Sequence, residues 1–356
     1  MSAKEPIFIH CFPRVGSTWF GSKFMEKLGD SYFYEPMHEI MIDGTQEDAD
    51  QEFDRLRQGK SLRHPSGIPP YFHNYPFSKE GGVPGFLQRF CYENYVLPPE
   101  QEDPEFKAYW ASLIEYARTL GDQPGFKDTQ SALRQGWMKA NFGGVHIYLV
   151  QHPRLTDKSY HSFRGFNNRY IREFALTIGK NKNHPAFSEI FKWAAIEPPP
   201  EAQSYEQDIK HYSRLFSAPM EKRDPKFTRQ YHYNAFCFFW MMGLAHASRY
   251  ADIIVDMEAL HDDDKRQEIE RQIKEKTRLD IDLSDYKPKI PKKTIGEENF
   301  QLSGDIATII ARALPHVNPD WERIQGFPLS KTTTQAVESF ARREKIQPDL
   351  FAKLPS

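Results

Sequence analysis

The chain lacks most of the features that would announce a metal, a membrane or a polyanion. Only three of its 356 residues are cysteines (Cys11, Cys91 and Cys237), an odd number without metal-ligand spacing, as expected of reduced thiols in a cytosolic protein. No His/Cys/carboxylate cluster with ligand spacing appears either, so no metal is expected. Excess charge is missing too: 47 basic against 49 acidic residues leave a formal net of −2, which implies no nucleic-acid partner. The longest apolar run, AFCFFWMMGLA at 235 to 245, falls well short of the roughly 20 residues that span a bilayer. MSAKEP leads directly into the first apolar segment, leaving no room for a signal peptide, and the expectation is a soluble, cytoplasmic protein. Internal repeats and low-complexity tracts are absent.

What is present begins at IFIHCFPRVGSTWFGSKFMEKLGD, residues 7 to 30. An apolar run ends in Pro13, and Pro13 with Gly16 predicts a turn. Ser17 and Thr18 are good helix N-caps. Beyond them Trp19, Phe20, Phe24, Met25 and Leu28 recur every three to four residues, as on the buried face of a helix that Gly29 ends. Strand, tight turn, helix: the turn holds an arginine, two hydroxyls and the N–H groups of a helix start. Such a start, at the positive end of a helix dipole, is suited to an anion such as phosphate.

Four more segments read as strands of an α/β protein. They are SYFYEP (31–36), GFKDT (125–129) before the helical SALRQGWMKANF, VHIYLVQHP (145–153) and ADIIVDMEAL (251–260). The last precedes DDDKRQEIERQIKEKTRL, whose aspartates suit a helix start. Strands separated by helical patterns predict a central parallel sheet flanked by helices. Residues 60–104 and 159–235 break the rhythm. Their proline, glycine and aromatic content predicts irregular insertions that wall a pocket or form a lid.

The turn Arg14-Val15-Gly16-Ser17-Thr18-Trp19 resembles the 5′-phosphosulfate loop of sulfotransferases that use 3′-phosphoadenosine 5′-phosphosulfate (PAPS). Other elements similar to that family follow in its order. Tyr34-Glu35-Pro36 comes just after the first helix, as in the carbohydrate sulfotransferase branch. Lys127 ends a short strand. Leu149-Val150-Gln151-His152-Pro153-Arg154 runs on to Ser159, eight positions after Gln151, and resembles the 3′-phosphate motif. Met257-Glu258-Ala259-Leu260 looks like a weakened Tyr-Glu-Asp-Leu element. Two departures stand out. Gln151 occupies the place of the family's 3′-phosphate arginine, and Gln donates hydrogen bonds without charge. No good match to the late basic, glycine-containing loop is found; Lys287–Lys293 is a poor substitute.

The resemblance implies one sulfotransferase-like domain over 1–356, with a three-layer, P-loop-like sulfotransferase fold, and PAPS as co-substrate. It also implies roles. Arg14 neutralises charge growing on the departing 5′-phosphate, and Val15, Gly16, Ser17, Thr18 and Trp19 complete its cradle. Lys127 sits near the sulfate, Glu35 is the base for the acceptor hydroxyl, and Gln151 and Ser159 address the 3′-phosphate. A glycan or small hydroxylated metabolite is the expected acceptor; oligomeric state is not readable.

Plainer readings stand beside these. Glu35 also reads as a strand-end carboxylate paired with Arg14, Lys127 as a surface lysine and Ser159 as a helix cap, each behind the role above. Asp128 is a runner-up base. His38, His152 and His161 are expected to be structural or solvent-facing, and Phe236, Phe239, Trp240 and Met241 are expected on the core face of a helix. Two rival classes remain. A P-loop kinase is suggested by GSTWFGSK, although it ends Ser-Lys where the phosphate loop needs Lys-Ser/Thr. A catalytically degenerate nucleotide-binding protein of the same fold is suggested by Gln151.

Overall fold

The computed structural model describes residues 4–51, 71–156, 167–194, 207, 229–287 and 304–343. The five apolar segments become strands β1 (Ile7–Cys11), β2 (Tyr32–Tyr34), β3 (Gly125–Asp128), β4 (Val145–Val150) and β5 (Ile253–Asp256). They form one parallel sheet in the order β2-β3-β1-β4-β5. Every residue of every strand is buried. That is why the segments read as continuous apolar runs rather than alternating ones.

Helices connect and flank the strands: α1 (Ser17–Leu28), α2 (Arg89–Tyr92), α3 (Pro104–Leu120) and α4 (Gln135–Phe142). They continue with α5 (Asn167–Lys180), α6 (Pro185–Trp193), α7 (Arg229–Tyr250) and α8 (Asp263–Thr277). Last come α9 (Gly304–Ala313), α10 (Trp321–Ile324) and α11 (Lys331–Arg343). One sheet face carries Phe8 and Phe126, neighbours in the register, and α3 lays Trp110 against both rings at 5.9 and 5.4 Å between centroids. Burying each such ring contributes about 1.5–3 kcal/mol. The opposite face receives α1, where Gly21 lets the helix approach Tyr32; a Cβ there would strike the phenol oxygen.

The chain packs as two compact units, whereas the sequence reading treats it as one domain. The first comprises Met1–Cys91, Leu97–Val150 and Tyr250–Lys287, and holds the whole sheet. The second comprises Tyr92–Val96, Gln151–Arg249 and Pro288–Ser356. In the second unit Phe236, Phe239, Trp240 and Met241 are buried along α7, the expected core face. Phe174 of α5 stacks on Phe239 at 4.7 Å, and Phe187 of α6 packs against Phe238.

Several boundaries differ from expectation. Residues 159–235 are not uniformly irregular, because α5, α6 and the start of α7 fall among them. Over 71–104 the irregular reading holds apart from the single turn α2. Helix α4 starts at Gln135, later than the pattern suggested. Asp262 caps α8 by accepting from the N–H groups of Asp264 and Lys265, as the aspartate run predicts.

Candidate active site

The chain leaves β1 towards β2 on one side of the sheet and leaves β4 towards β5 on the other. In open α/β sheets ligands bind outside the carboxyl ends of strands at such a reversal. The β1–α1 turn borders it. Within that turn Arg14 (φ 72°) and Gly16 (φ 87°) are both left-handed, and Gly16 is the residue that caps α1. The expectation of Ser17 or Thr18 as cap is corrected. A left-handed cap position favours a residue without a Cβ, so the hydroxyl residues fall inside the helix instead.

The first hydrogen bond of α1 runs from Phe20 N–H to Gly16 O at 3.2 Å. The helix ladder therefore leaves the N–H groups of Ser17, Thr18 and Trp19 unspent, and no acidic side chain in the first turn offsets their positive end. Arg14 is half-buried in this turn and Val15 is buried beneath it. The hydroxyls have protein partners. Ser17 bonds the Cys11 thiol, which burial pushes up to about 12, and Thr18 Oγ1 lies 2.9 Å from Tyr34 Oη. Trp19 packs on Tyr286 at 4.9 Å between centroids.

At the ends of β2 and β3 a second group forms. Glu35 sits in the left-handed region (φ 53°), its N–H donating to Lys127 O at 2.6 Å. Lys127 Nζ donates to Glu35 Oε1 as a buried ion pair, with the lysine only 1% exposed. Burial works against the ammonium, but the Glu35 carboxylate and the Tyr34 phenol raise its pKa well above the ordinary lysine value. Lys127 Nζ also lies over the Tyr34 ring, 4.2 Å from its centre. Glu35 Oε2 accepts from both the N–H and the hydroxyl of Thr129, at 2.8 and 2.7 Å. Glu35 thus pairs with Lys127 rather than with Arg14, and Lys127 is not a surface residue. A continuous set of contacts, Thr18–Tyr34–Lys127–Glu35–Thr129, ties the first turn of α1 to the ends of β2 and β3.

Asp128, the runner-up base, is held by the Met37 N–H at 2.9 Å; burial first, and the Glu35 charge next, push its pKa up to about 7. His38 and His152 accept from the N–H groups of Ile40 and Arg154, so both do structural work, while His161 lies outside the described residues. Lys23, the end of the GSTWFGSK pattern, lies well inside α1 and pairs with Asp285 at 2.8 Å. That placement weakens the kinase reading.

Gln151 follows β4 directly, and its carbonyl accepts from Trp240 Nε1 at 2.9 Å. Ser159 lies outside the described residues. In the same unit as Gln151, the Arg154 guanidinium stacks on Tyr233, 3.8 Å from the ring centre. Its buried Nε makes no hydrogen bond, and among the described residues no carboxylate pairs with it.

Among the described residues five non-glycines have positive φ: Arg14, Glu35, Asn94, Arg278 and Asn318. Asparagine adopts this conformation readily, and Arg278 terminates α8. Arg14 and Glu35 have no such ordinary reason. Strained backbone of this kind gathers at functional sites, and here it falls on the two residues with the strongest chemistry. Sequence reasoning found both and gave Thr129 no role; nothing in the sequence beyond its place after Lys127-Asp128 marks it.

Among the described residues no group of three or more His, Cys, Asp or Glu is arranged to hold a metal ion, and no helix is long and apolar enough to cross a membrane. No family model matches the chain, and no curated protein or solved structure proves similar to it.

Proposed function

We propose that the chain is a sulfotransferase that moves a sulfuryl group from PAPS to an acceptor hydroxyl, on a glycan or a small hydroxylated metabolite, in the cytoplasm. The observation that carries this reading is the pair of strained residues beyond the carboxyl ends of β1 and β2. An arginine-bearing left-handed turn opens a helix, and a buried Glu35–Lys127 pair closes the neighbouring strand ends. The first fits the doubly charged end of a phosphosulfate; the second fits proton removal beside a fixed positive charge.

PAPS supplies an activated sulfuryl group on a phosphate leaving group. The residues of the turn fit that group, with Arg14 and the N–H groups of Ser17, Thr18 and Trp19 as donors. Arg14 offsets charge that accumulates on the phosphate oxygen as the S–O bond breaks and the phosphate keeps the electron pair. Glu35 takes the proton from the acceptor hydroxyl while its oxygen forms the new O–S bond. Lys127 holds Glu35 in place and keeps positive charge next to the transfer. Position and charge dominate because the chain needs to form no covalent bond of its own. Recognition of the 3′-phosphate falls to Gln151 and Ser159 in this reading, with the stacked Arg154 as the nearby cation that Gln151 is not.

The test is transfer of radiolabelled sulfate from PAPS to a panel of mono- and oligosaccharides and phenols in EDTA, with binding of 3′-phosphoadenosine 5′-phosphate and AMP measured by calorimetry. Transfer without magnesium, and tighter binding of the 3′-phosphorylated nucleotide, is the expected result. Gln151 favours one second reading, a catalytically degenerate nucleotide-binding protein; equal affinity for both nucleotides with no transfer would establish it.

A further inference from the structure

We propose that Thr129 is the positioning residue of this site, fixing which oxygen of Glu35 receives the acceptor's proton. The inference rests on the transferase reading and concerns a residue that reading does not use. An ionised carboxylate offers about two lone-pair sites on each oxygen. Thr129 gives Oε2 two donors, its N–H at 2.8 Å and its hydroxyl at 2.7 Å, which fills that oxygen. Oε1 accepts from Lys127 Nζ alone among the described residues, and so retains a lone pair. The proton leaving the acceptor hydroxyl therefore ends on Oε1, beside the lysine, while the acceptor oxygen forms its bond to sulfur and the phosphate departs with the electrons of the broken S–O bond.

The backbone makes this arrangement rigid. Glu35 N–H is bonded to Lys127 O at 2.6 Å, and Glu35 O accepts from His38 N–H at 3.0 Å, which fixes the main chain, while rotation of the carboxylate to exchange its oxygens would break the Lys127 bond and both Thr129 bonds. Thr129 is the first residue beyond β3, half-buried, and its two donors converge on one atom. Valine at this position keeps the shape and the N–H but removes the hydroxyl; serine restores the hydroxyl with one methyl less. A residue needed only for packing would respond to these two changes in the opposite order.

Three measurements test this: steady-state kinetics of Thr129→Val and Thr129→Ser with PAPS and whichever panel sugar or phenol the wild type sulfates, calorimetric binding of 3′-phosphoadenosine 5′-phosphate, and a double-variant unfolding cycle of Thr129→Val with Glu35→Ala. The expected result is kcat lower by about tenfold in Thr129→Val with KM for PAPS within twofold, and recovery to within threefold in Thr129→Ser. The cycle should show the two changes coupled by about fivefold in the unfolding constant. Additive effects in the cycle, or a valine variant that turns over as fast as serine, overturn the inference. A wild type that transfers nothing to any acceptor while the cycle shows coupling refutes the transferase reading and, with it, the proton assignment, and leaves Thr129 as the clamp on Glu35.

Discussion

Replacing Lys127 by methionine removes the positive half of a buried pair and leaves the negative half behind. Lys127 is 1% exposed and the Glu35 side chain 11%, so water does little to replace the lost charge. Breaking such a pair from one side costs about 3–5 kcal/mol. Two terms narrow the range. The Thr129 donors still solvate Oε2, which holds the loss towards the lower end. The cation over the Tyr34 ring is also lost, about 1–2 kcal/mol, but a methionine sulfur against the same ring returns about 0.3–1.5 kcal/mol. The expected cost is therefore about 3 kcal/mol. In the double variant Lys127→Met/Glu35→Gln the orphaned charge is gone, and the loss should fall to about 1–2 kcal/mol. Urea unfolding, followed by circular dichroism and by the fluorescence of the buried Trp110 and Trp137, measures both. A single variant that loses less than about 1 kcal/mol, or a double variant no more stable than the single, would show that the pair is not desolvated as described.

Arg14→Ala should lower kcat by about 10² or more, the scale of a lost charge stabiliser, with a smaller effect in Arg14→Lys; steady-state rates with PAPS measure it. Gly16→Ala places a Cβ at φ 87° and 3.0 Å from Met257 Cε, and should cost about 1–2 kcal/mol in urea unfolding while weakening nucleotide binding in calorimetry. His146, fully buried, is pulled down to about 4 mainly by burial. The unfolded chain therefore binds the extra proton between about pH 6.5 and 4, and stability is lost as pH falls through that window, by at most about 3 kcal/mol. His146→Gln should flatten that part of the stability–pH curve. Asp128, raised to about 7, acts with the opposite sign, costing stability as pH rises from its ordinary value near 3.8 to about 7.

The sheet was legible because its strands are buried on both faces, so uninterrupted apolar residues mark them without ambiguity. The β1–α1 turn was legible because proline, glycine and arginine have few alternative uses at that spacing. Its cap was not: a hydroxyl is the common solution, and only the left-handed backbone reveals that Gly16 takes the place. The partner of Glu35 was hidden for a different reason. Lys127 stands 92 residues away, and parallel pairing of β2 with β3 brings them together. Thr129 was invisible on the same grounds. Helices α5 and α6 were missed because their many aromatic and basic residues hide a periodic stripe within a segment that otherwise reads as a loop.

The histidines of the central strands hold a proton arrangement that can be read without seeing hydrogens. Gly143 O can only accept, so His146 Nε2, 2.9 Å away, carries a hydrogen and His146 Nδ1 must accept from His10 Nε2, also at 2.9 Å. His10 Nδ1 is then left to accept from the Ser131 hydroxyl at 2.7 Å. The whole relay points one way, from the turn that follows β3 to the turn that precedes β4; a proton added at His146 Nδ1 would set two donors against each other, whereas one added at His10 would reverse only the Ser131 bond, whose hydroxyl can turn to Asp128 O at 3.2 Å. Nitrogen-15 spectra of the two rings should accordingly report the same tautomer for both, and any treatment that loosens the sheet should scramble the pair together.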